Sequence, residues 1–483
     1  MRKKMQQKAA VAALTVLIGG GALLPVQSVK AASFDQPLEQ VIQQLVSQKA
    51  LNGYQDGSMR AENKITNAEL IKMIVLALDL KPEGTVPGKD KWYTPYVNAA
   101  VTAGLIESSQ SFQPNKPALG SDAAQLIAKA LQRDAKSVQY WMTGLRIEGK
   151  QLSRGDAARL LVYSEQAIRS SNAEVVSIKA LNKMTFEVTF TAPLTIEDET
   201  TDQANSNFAF SDGLKLVNQP RLKTGAIATY IIPVQTMKPG TTYSLKYKGK
   251  QDFTVAASDE LIQLKNVRQV TSDTFEVESF RSDGVIDYGY LISAYAGGRG
   301  DNAVVLDENN KLNGQPMQII SSLATRQAVL TSETGEQLTV NYVGYTQSTD
   351  GKQEPKFRLP AGKTLQPGMK YTVTSDWFAL ANPAFTGQSF EPLEIAAVDQ
   401  VNETTLNVTL TADPGDEFFA YRSIQLKGTD GTTLTAQYKV QTRKGAVGVF
   451  ELQNNGKLQA GAQYDIVPVG SWATADNVKL SSK

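Results

Sequence analysis

The hydrophobic repeat changes near residue 172, and that change limits this 483-residue chain more than any other feature. Before it, apolar residues recur at helical spacing. "NAELIKMIVLAL" puts Leu70, Ile71, Ile74 and Leu78 on one stripe, and "DAAQLIAKAL" does the same with Leu126, Ile127 and Leu131. "RGDAARLLVYSEQAI" adds Ala157, Leu160 and Leu161. After the change the period is two. In "MTFEVTF", Met184, Phe186, Val188 and Phe190 alternate with Thr185, Glu187 and Thr189, the pattern of a strand with one buried face. A helix-period segment does not settle as a strand, nor the reverse. The chain therefore needs at least two kinds of domain.

The strand half repeats itself. "NKMTFEV" at 182–188 returns as "TSDTFEV" at 271–277 and "NETTLNV" at 402–408. Downstream of each lies a glycine turn followed by a tyrosine, in "MKPGTTYSL", "LQPGMKYTV" and "LQAGAQYDI", which place Tyr243, Tyr371 and Tyr464. A tyrosine so placed can pack its ring at a sheet corner and hydrogen-bond its hydroxyl to backbone. Tyr243 follows Phe186 by 57 residues and Tyr464 follows Leu406 by 58, whereas Tyr371 follows Phe275 by 96. Three tandem modules are expected, each an immunoglobulin-like β-sandwich, at 171–258, 259–393 and 394–483. The middle one carries an insertion between residues 281 and 355.

Composition removes whole chemistries. There is no cysteine and no histidine, which excludes disulfides, Ser-His and Cys-His nucleophiles and His-ligated metal sites. With 49 basic and 48 acidic residues the net charge is +1, so nothing marks a polyanion-binding chain and no nucleic-acid partner is expected. Arg2, Lys3, Lys4 and Lys8 precede an apolar run from Ala9 to Leu24, and "VKA" follows at 29–31. This is the pattern of a signal peptide over residues 1–31, cleaved after Ala31. The run falls short of the ~20 apolar residues of a spanning helix, and no cysteine offers a lipid site. A secreted protein without membrane insertion is expected, on the cell surface.

The helical half, 32–170, carries a recognisable pattern. "VIQQLVSQKALNGYQDGSMRAENKITNAELIKMIVLAL" closely resembles an S-layer homology repeat, whose order is amphipathic helix, "NGYPDGTFRP" loop, then "ITRAE" opening a second helix. Asn52–Gly57 and Ile65–Glu69 occupy those places. "KWYTPYVNAAVTAGLIESSQSFQPNKPALGSDAAQLI" is similar to a second copy, with Trp92 and Phe112, and "LSRGD" at Leu152–Asp156 to a shortened third. The resemblance implies an all-α bundle of three degenerate repeats with pseudo-threefold symmetry. It also implies non-covalent binding to secondary cell-wall polymer on peptidoglycan, typically ending in a pyruvylated amino sugar. The family's motif arginine resembles a hand for the ketal carboxylate.

Two jobs separate within that motif. Thr66 with Glu69, and Ser153 with Asp156, have the spacing of capping boxes, a structural role. The residue just after the cap needs no particular side chain for helix initiation. An arginine there has spare capacity to hold a carboxylate beside a helix N-terminus. Arg154 is such a residue, while Asn67 and Gly120 stand in its place in the other copies. The candidate polymer site is thus Arg154, Asn67, Tyr54, Asp56 and Trp92. Tyr54 and Trp92 either stack on sugar or cover core, and Gly53 and Gly57 shape the turn.

The remaining signals are weak. Glu197, Asp198, Glu199 and Asp202 lack the "DxDxDG" order of a calcium loop and are expected as a solvated acidic loop, leaving Ca2+ only a remote cofactor. Arg299–Gly300–Asp301 is a short match to an adhesion tripeptide in a turn-rich insertion. The expected function is non-enzymatic. A wall-binding helical domain carries β-sandwiches outward as stalk, lattice-forming or adhesive modules. The alternatives are an accessory polysaccharide-binding protein of a carbohydrate-active system, or an assembly module whose repeats no longer bind polymer.

Overall fold

A computed structural model describes residues 34–84, 91–149, 151–250, 252–278, 304–344, 354–414 and 419–483. The signal-peptide pattern and the Arg299–Gly300–Asp301 tripeptide lie outside the described residues. Among those described, no helix is long and apolar enough to cross a membrane.

Among the described residues, six α-helices build the N-terminal region: α1 (Leu38–Ser47), α2 (Asn67–Ala77), α3 (Thr94–Thr102), α4 (Gly120–Ala130), α5 (Ala135–Leu145) and α6 (Arg154–Glu165). Both capping boxes form. The Thr66 hydroxyl accepts from the Glu69 amide and the Glu69 carboxylate from the Thr66 amide, and Ser153 and Asp156 repeat the exchange at α6. At the centre lies a closed ring of main-chain hydrogen bonds. Ile65 N–H donates to Leu152 O (3.1 Å), Leu152 N–H to Ala118 O (3.0 Å) and Ala118 N–H to Ile65 O (3.0 Å). All three residues are buried, so these bonds have no water competing for them. α2, α4 and α6 each begin two residues after a ring member.

The strand half begins three times with the same hairpin. Val175–Asn182 pairs with Thr185–Phe190, Ile262–Thr271 with Thr274–Glu278, and Leu393–Asn402 with Thr405–Leu410. Each register shifts just before the turn, at Ala180/Asn182, Gln269/Thr271 and Gln400/Asn402. The shift lets the hairpin bend over its core. The three tyrosines meet their expectation. Tyr243, Tyr371 and Tyr464 accept from the amides of Lys238 (2.9 Å), Gln366 (2.8 Å) and Gln459 (3.1 Å), each five residues upstream.

The sheets themselves are sandwich-like in one module and barrel-like in the other two. The first has a four-stranded and a three-stranded sheet. In the second and third, eight strands follow one another in a single order. The two ends of the second order, Phe378–Asn382 and Ala384–Thr386, are joined through Pro383 alone, so the exit strand crosses from one edge to the other and the sheet rolls closed. A proline at that crossing has no N–H to offer either ladder.

One expectation is corrected in part. The acidic segment is solvated only at Glu197 and Asp202: it leads into a short helix, α7 (Thr201–Asn207), and Asp198 and Glu199 are buried. Lys248 (2.8 Å) and Asn207 (2.9 Å) hold Asp198, and Arg169 (2.7 Å) and the Tyr230 hydroxyl (2.8 Å) hold Glu199. Partners from other elements compensate the desolvation of these charges. The first and second cores are joined: Met184 and Ile231 of the first module pack within the core of the second.

Candidate functional site

The starts of α6 and α2 receive equivalent loops. Arg154 and Gly155 N–H donate to Asn63 O and Ala61 O (both 2.8 Å), while Asn67 and Ala68 N–H donate to Lys116 O (2.9 Å) and Pro114 O (3.0 Å). Each loop therefore lies across the N-terminus of a helix from another part of the sequence. The first loop turns tightly at Gly57, whose φ of 75° suits glycine.

Arg154 is only 7% exposed. Its Nε donates to Met59 O (2.9 Å) and its Nη2 to Asn52 O (2.5 Å), and Nη1 lies 3.7 Å from Glu69 Oε1. The guanidinium also sits 5.1 Å from the Tyr54 ring centroid. The expectation of spare capacity is corrected accordingly: helix initiation does not need this side chain, but the 52–59 loop does.

Around it lies a compact charged cluster. Arg60 also lies over Tyr54, 4.1 Å from the ring centroid, and pairs with Asp56 (2.9 Å). Hydrogen bonds from Ser58 and then Arg60 hold the Asp56 carboxyl at about 2. Half-buried Lys72 has its ammonium pushed down by desolvation and then by Arg154, with Glu69 opposing. Two arginines thus flank the half-buried Tyr54 ring, each beside a carboxylate, and Lys72 feels the charges of Arg154 and Glu69. Arg60 and Lys72 were missed by sequence reasoning. Arg60 occupies the arginine place of the "NGYPDGTFRP" loop, which was the available signal.

Asn67 and Trp92 belong elsewhere. Asn67 donates to Gln113 O (3.2 Å) in the second loop. Trp92, 37% exposed, meets Tyr93 (5.9 Å) and Tyr96 (6.4 Å) edge-on, and Tyr93 leads to Phe112 (6.4 Å). At the third place, a Cβ on Gly120 would come within 2.7 Å of Met142 Cε and 3.1 Å of Gly149 O. A side chain there would require Met142 and the Gly149 carbonyl to shift.

The family model of the S-layer homology domain matches residues 85–124. The match is to that segment. It is the stretch with Trp92, Phe112 and Gly120; the loop at 51–70 and Arg154 lie outside the match. Among curated proteins, the surface-layer 125 kDa protein of Lysinibacillus sphaericus is 27% identical over 150 residues, 27% of this chain and 13% of that one. The surface layer protein of Brevibacillus choshinensis is 23% identical over 250 residues, 47% of this chain and 22% of that one. The chain thus spans less than a quarter of either relative. Domains 1–6 of the surface layer protein SbsC align with 92% of this chain and 73% of that structure, at 13% identity and a TM-score of 0.15. Native alpha-2-macroglobulin from Escherichia coli aligns with 62% of this chain and 97% of that structure, at 10% identity and a TM-score of 0.20.

Proposed function

We propose that the chain is a non-enzymatic surface-layer-type protein, held to the cell wall by its helical region and extending its β-modules away from it. The observation that carries this reading is the ring of Ile65, Ala118 and Leu152. It supports reading the helical region as three lobes, and at α6 and α2 a loop from elsewhere in the region covers the helix start. That arrangement, joined to the family match at 85–124, fits three degenerate repeats at 32–170.

The ligand is a wall polymer with a carboxylate-bearing sugar, such as a pyruvyl ketal. Tyr54 offers a ring, and Arg60, Lys72 and Arg154 supply positive charge around it. An anion beside Lys72 would offset the desolvation, and after it the Arg154 repulsion, that lower the Lys72 ammonium. In this arrangement Arg154 holds the loop, and Arg60 presents the fork that a carboxylate accepts in two parallel bonds. The aromatic row from Trp92 to Phe112 is a second place for sugar.

Co-sedimentation of residues 32–483 with purified wall sacculi tests this. The chain is expected to pellet with native sacculi and to stay in solution when the polymer has been stripped. Arg60→Ala, an exposed substitution, is expected to weaken binding about tenfold with the fold intact. Binding unchanged by stripping would sink the polymer reading. The internal engagement of Arg154 favours one second reading, an assembly module, in which the chain self-associates and ignores the polymer.

A further inference from the structure

Among the described residues, the second and third β-modules share a device that the first lacks. In the second, the entry strand Ile262–Thr271 lies parallel to the exit strand Phe378–Asn382, from Phe378 opposite Ile262 to Asn382 opposite Asn266. Ile262 N–H donates to Trp377 O (3.0 Å), and the Asn382 side-chain amide donates to Asn266 Oδ1 (2.9 Å). Beyond the ladder, buried Gln269 of the entry strand grips the exit segment. Its Oε1 accepts from Gln388 N–H (2.7 Å) and its Nε2 donates to Gln388 O (3.2 Å). One side chain thus completes both main-chain bonds of a ladder position.

The third module repeats the arrangement in shorter form. Leu393 and Glu394 pair in parallel with Ala473 and Thr474. Gln400 Oε1 accepts from Lys483 N–H (2.8 Å) and the Ser482 hydroxyl (3.2 Å). Gln269 and Gln400 hold the same place, two residues before "TSDTFEV" and "NETTLNV". In the first module that place is Ala180, and the first and last strands, Val175–Asn182 and Asp252–Ala256, lie side by side in different sheets.

We propose that this pairing is a tension clamp: the second and third modules are built to bear load along the chain, and the first is the module that yields. Parallel terminal strands send the chain in at one end of the pair and out at the other. A pull on the two termini therefore loads every bond of the ladder together, in shear. A pull that separates the same two strands from one end breaks the bonds in turn. The glutamine latch adds two bonds loaded in the shear direction. The clamp follows from the topology alone and does not depend on which wall component is bound.

Single-molecule pulling tests it, because forced unfolding reads the unfolding barrier. The chain has no cysteine, so handles can be placed at will. Exposed Asp259, Asp376 and Glu391 flank the two strands. In residues 32–483, the pair Asp259→Cys with Glu391→Cys loads the second module in shear, and Asp259→Cys with Asp376→Cys peels the strands from one end. The shear pair is expected to open at roughly twice the force of the peel pair or more, given the slanted, evenly spaced bonds of a parallel ladder. Adding Gln269→Ala should lower the shear force and leave the peel force unchanged. Equal forces in the two geometries would overturn the clamp. So would a Gln269→Ala effect of equal size in both, since that is what a general loss of stability produces.

Discussion

Arg422 donates to both carboxylate oxygens of Asp273, at 2.6 Å to Oδ2 and 2.8 Å to Oδ1, across the junction of the second and third β-modules. Both side chains are buried, and Arg358 beside them donates to Ala420 O (2.6 Å). Burial alone would raise the Asp273 carboxyl; the Arg422 hydrogen bonds and charge outweigh it and hold the group at about 2. The folded value lies below the unfolded one, so its stabilisation is complete above the unfolded value of ~3.9 and is lost as pH falls toward 2.

The size of that contribution is about 2 kcal/mol. Denaturant midpoints of the third module should therefore fall between pH 4 and pH 2. Asp273→Ala should remove the pH dependence and cost about 3–5 kcal/mol at neutral pH, because Arg422 is left buried without its partner. A midpoint unchanged by the substitution would show that the junction does not couple the modules.

Arg154→Ala should act on stability first. The substitution removes two charge-assisted bonds to the carbonyls of Met59 and Asn52, with an expected cost of about 2–4 kcal/mol in the helical region. Hydrogen exchange over residues 52–60 should speed up more than over α4. Thr66→Ala should cost about 1 kcal/mol through the lost cap. If Arg154→Ala left the loop as protected as in the parent, the carbonyl bonds would not be what holds it.

Each corner tyrosine makes a separable test. Tyr243→Phe, Tyr371→Phe and Tyr464→Phe keep the ring in the core and leave one amide without its acceptor. About 1 kcal/mol should be lost in each case, from the substituted module alone. A loss spread evenly over all three modules, followed by exchange of their core amides, would contradict separate corners.

The parts of this structure that were legible in the sequence depend on local spacing. The change of period near residue 172, the boxes at Thr66 and Ser153, and the tyrosines three residues after a glycine turn all act over a few residues. What was hidden depends on distant partners. The burial of Arg154 is set by carbonyls 95 and 102 residues away. Asp198 and Glu199 look solvated until Lys248 and Arg169 are brought to them by the fold. The recurrence of Gln269 and Gln400 was visible, but its meaning required knowing that the exit strand returns beside the entry strand. Similarly, the rolled sheets of the second and third modules depend on where Pro383 and residues 475–478 turn, which alternation cannot show.

The last prediction concerns the contact between helical region and first β-module. Trp141 of α5 is fully buried; its indole N–H donates to Gly225 O (2.7 Å), and Gly225 N–H donates to the Ser137 hydroxyl (2.7 Å). Arg133 reaches the carbonyls of Ala226 and Ile227. Gly225 has φ of 85°, and a Cβ there would come within 2.6 Å of Val305 Cγ1 and 3.1 Å of Tyr140 Cδ1. Gly225→Ala therefore combines a left-handed backbone penalty with overpacking, roughly 2–4 kcal/mol together. Its effect should appear on both sides, as faster exchange in α5 and in Thr229–Pro233. By the same reasoning, residues 34–170 alone would expose Trp141 and leave Arg133 without its carbonyl partners, so residues 34–258 should unfold at higher denaturant than 34–170. Equal midpoints would mean that the helical region stands without its β-module, and that Gly225 is shaped by the packing around Val305 alone.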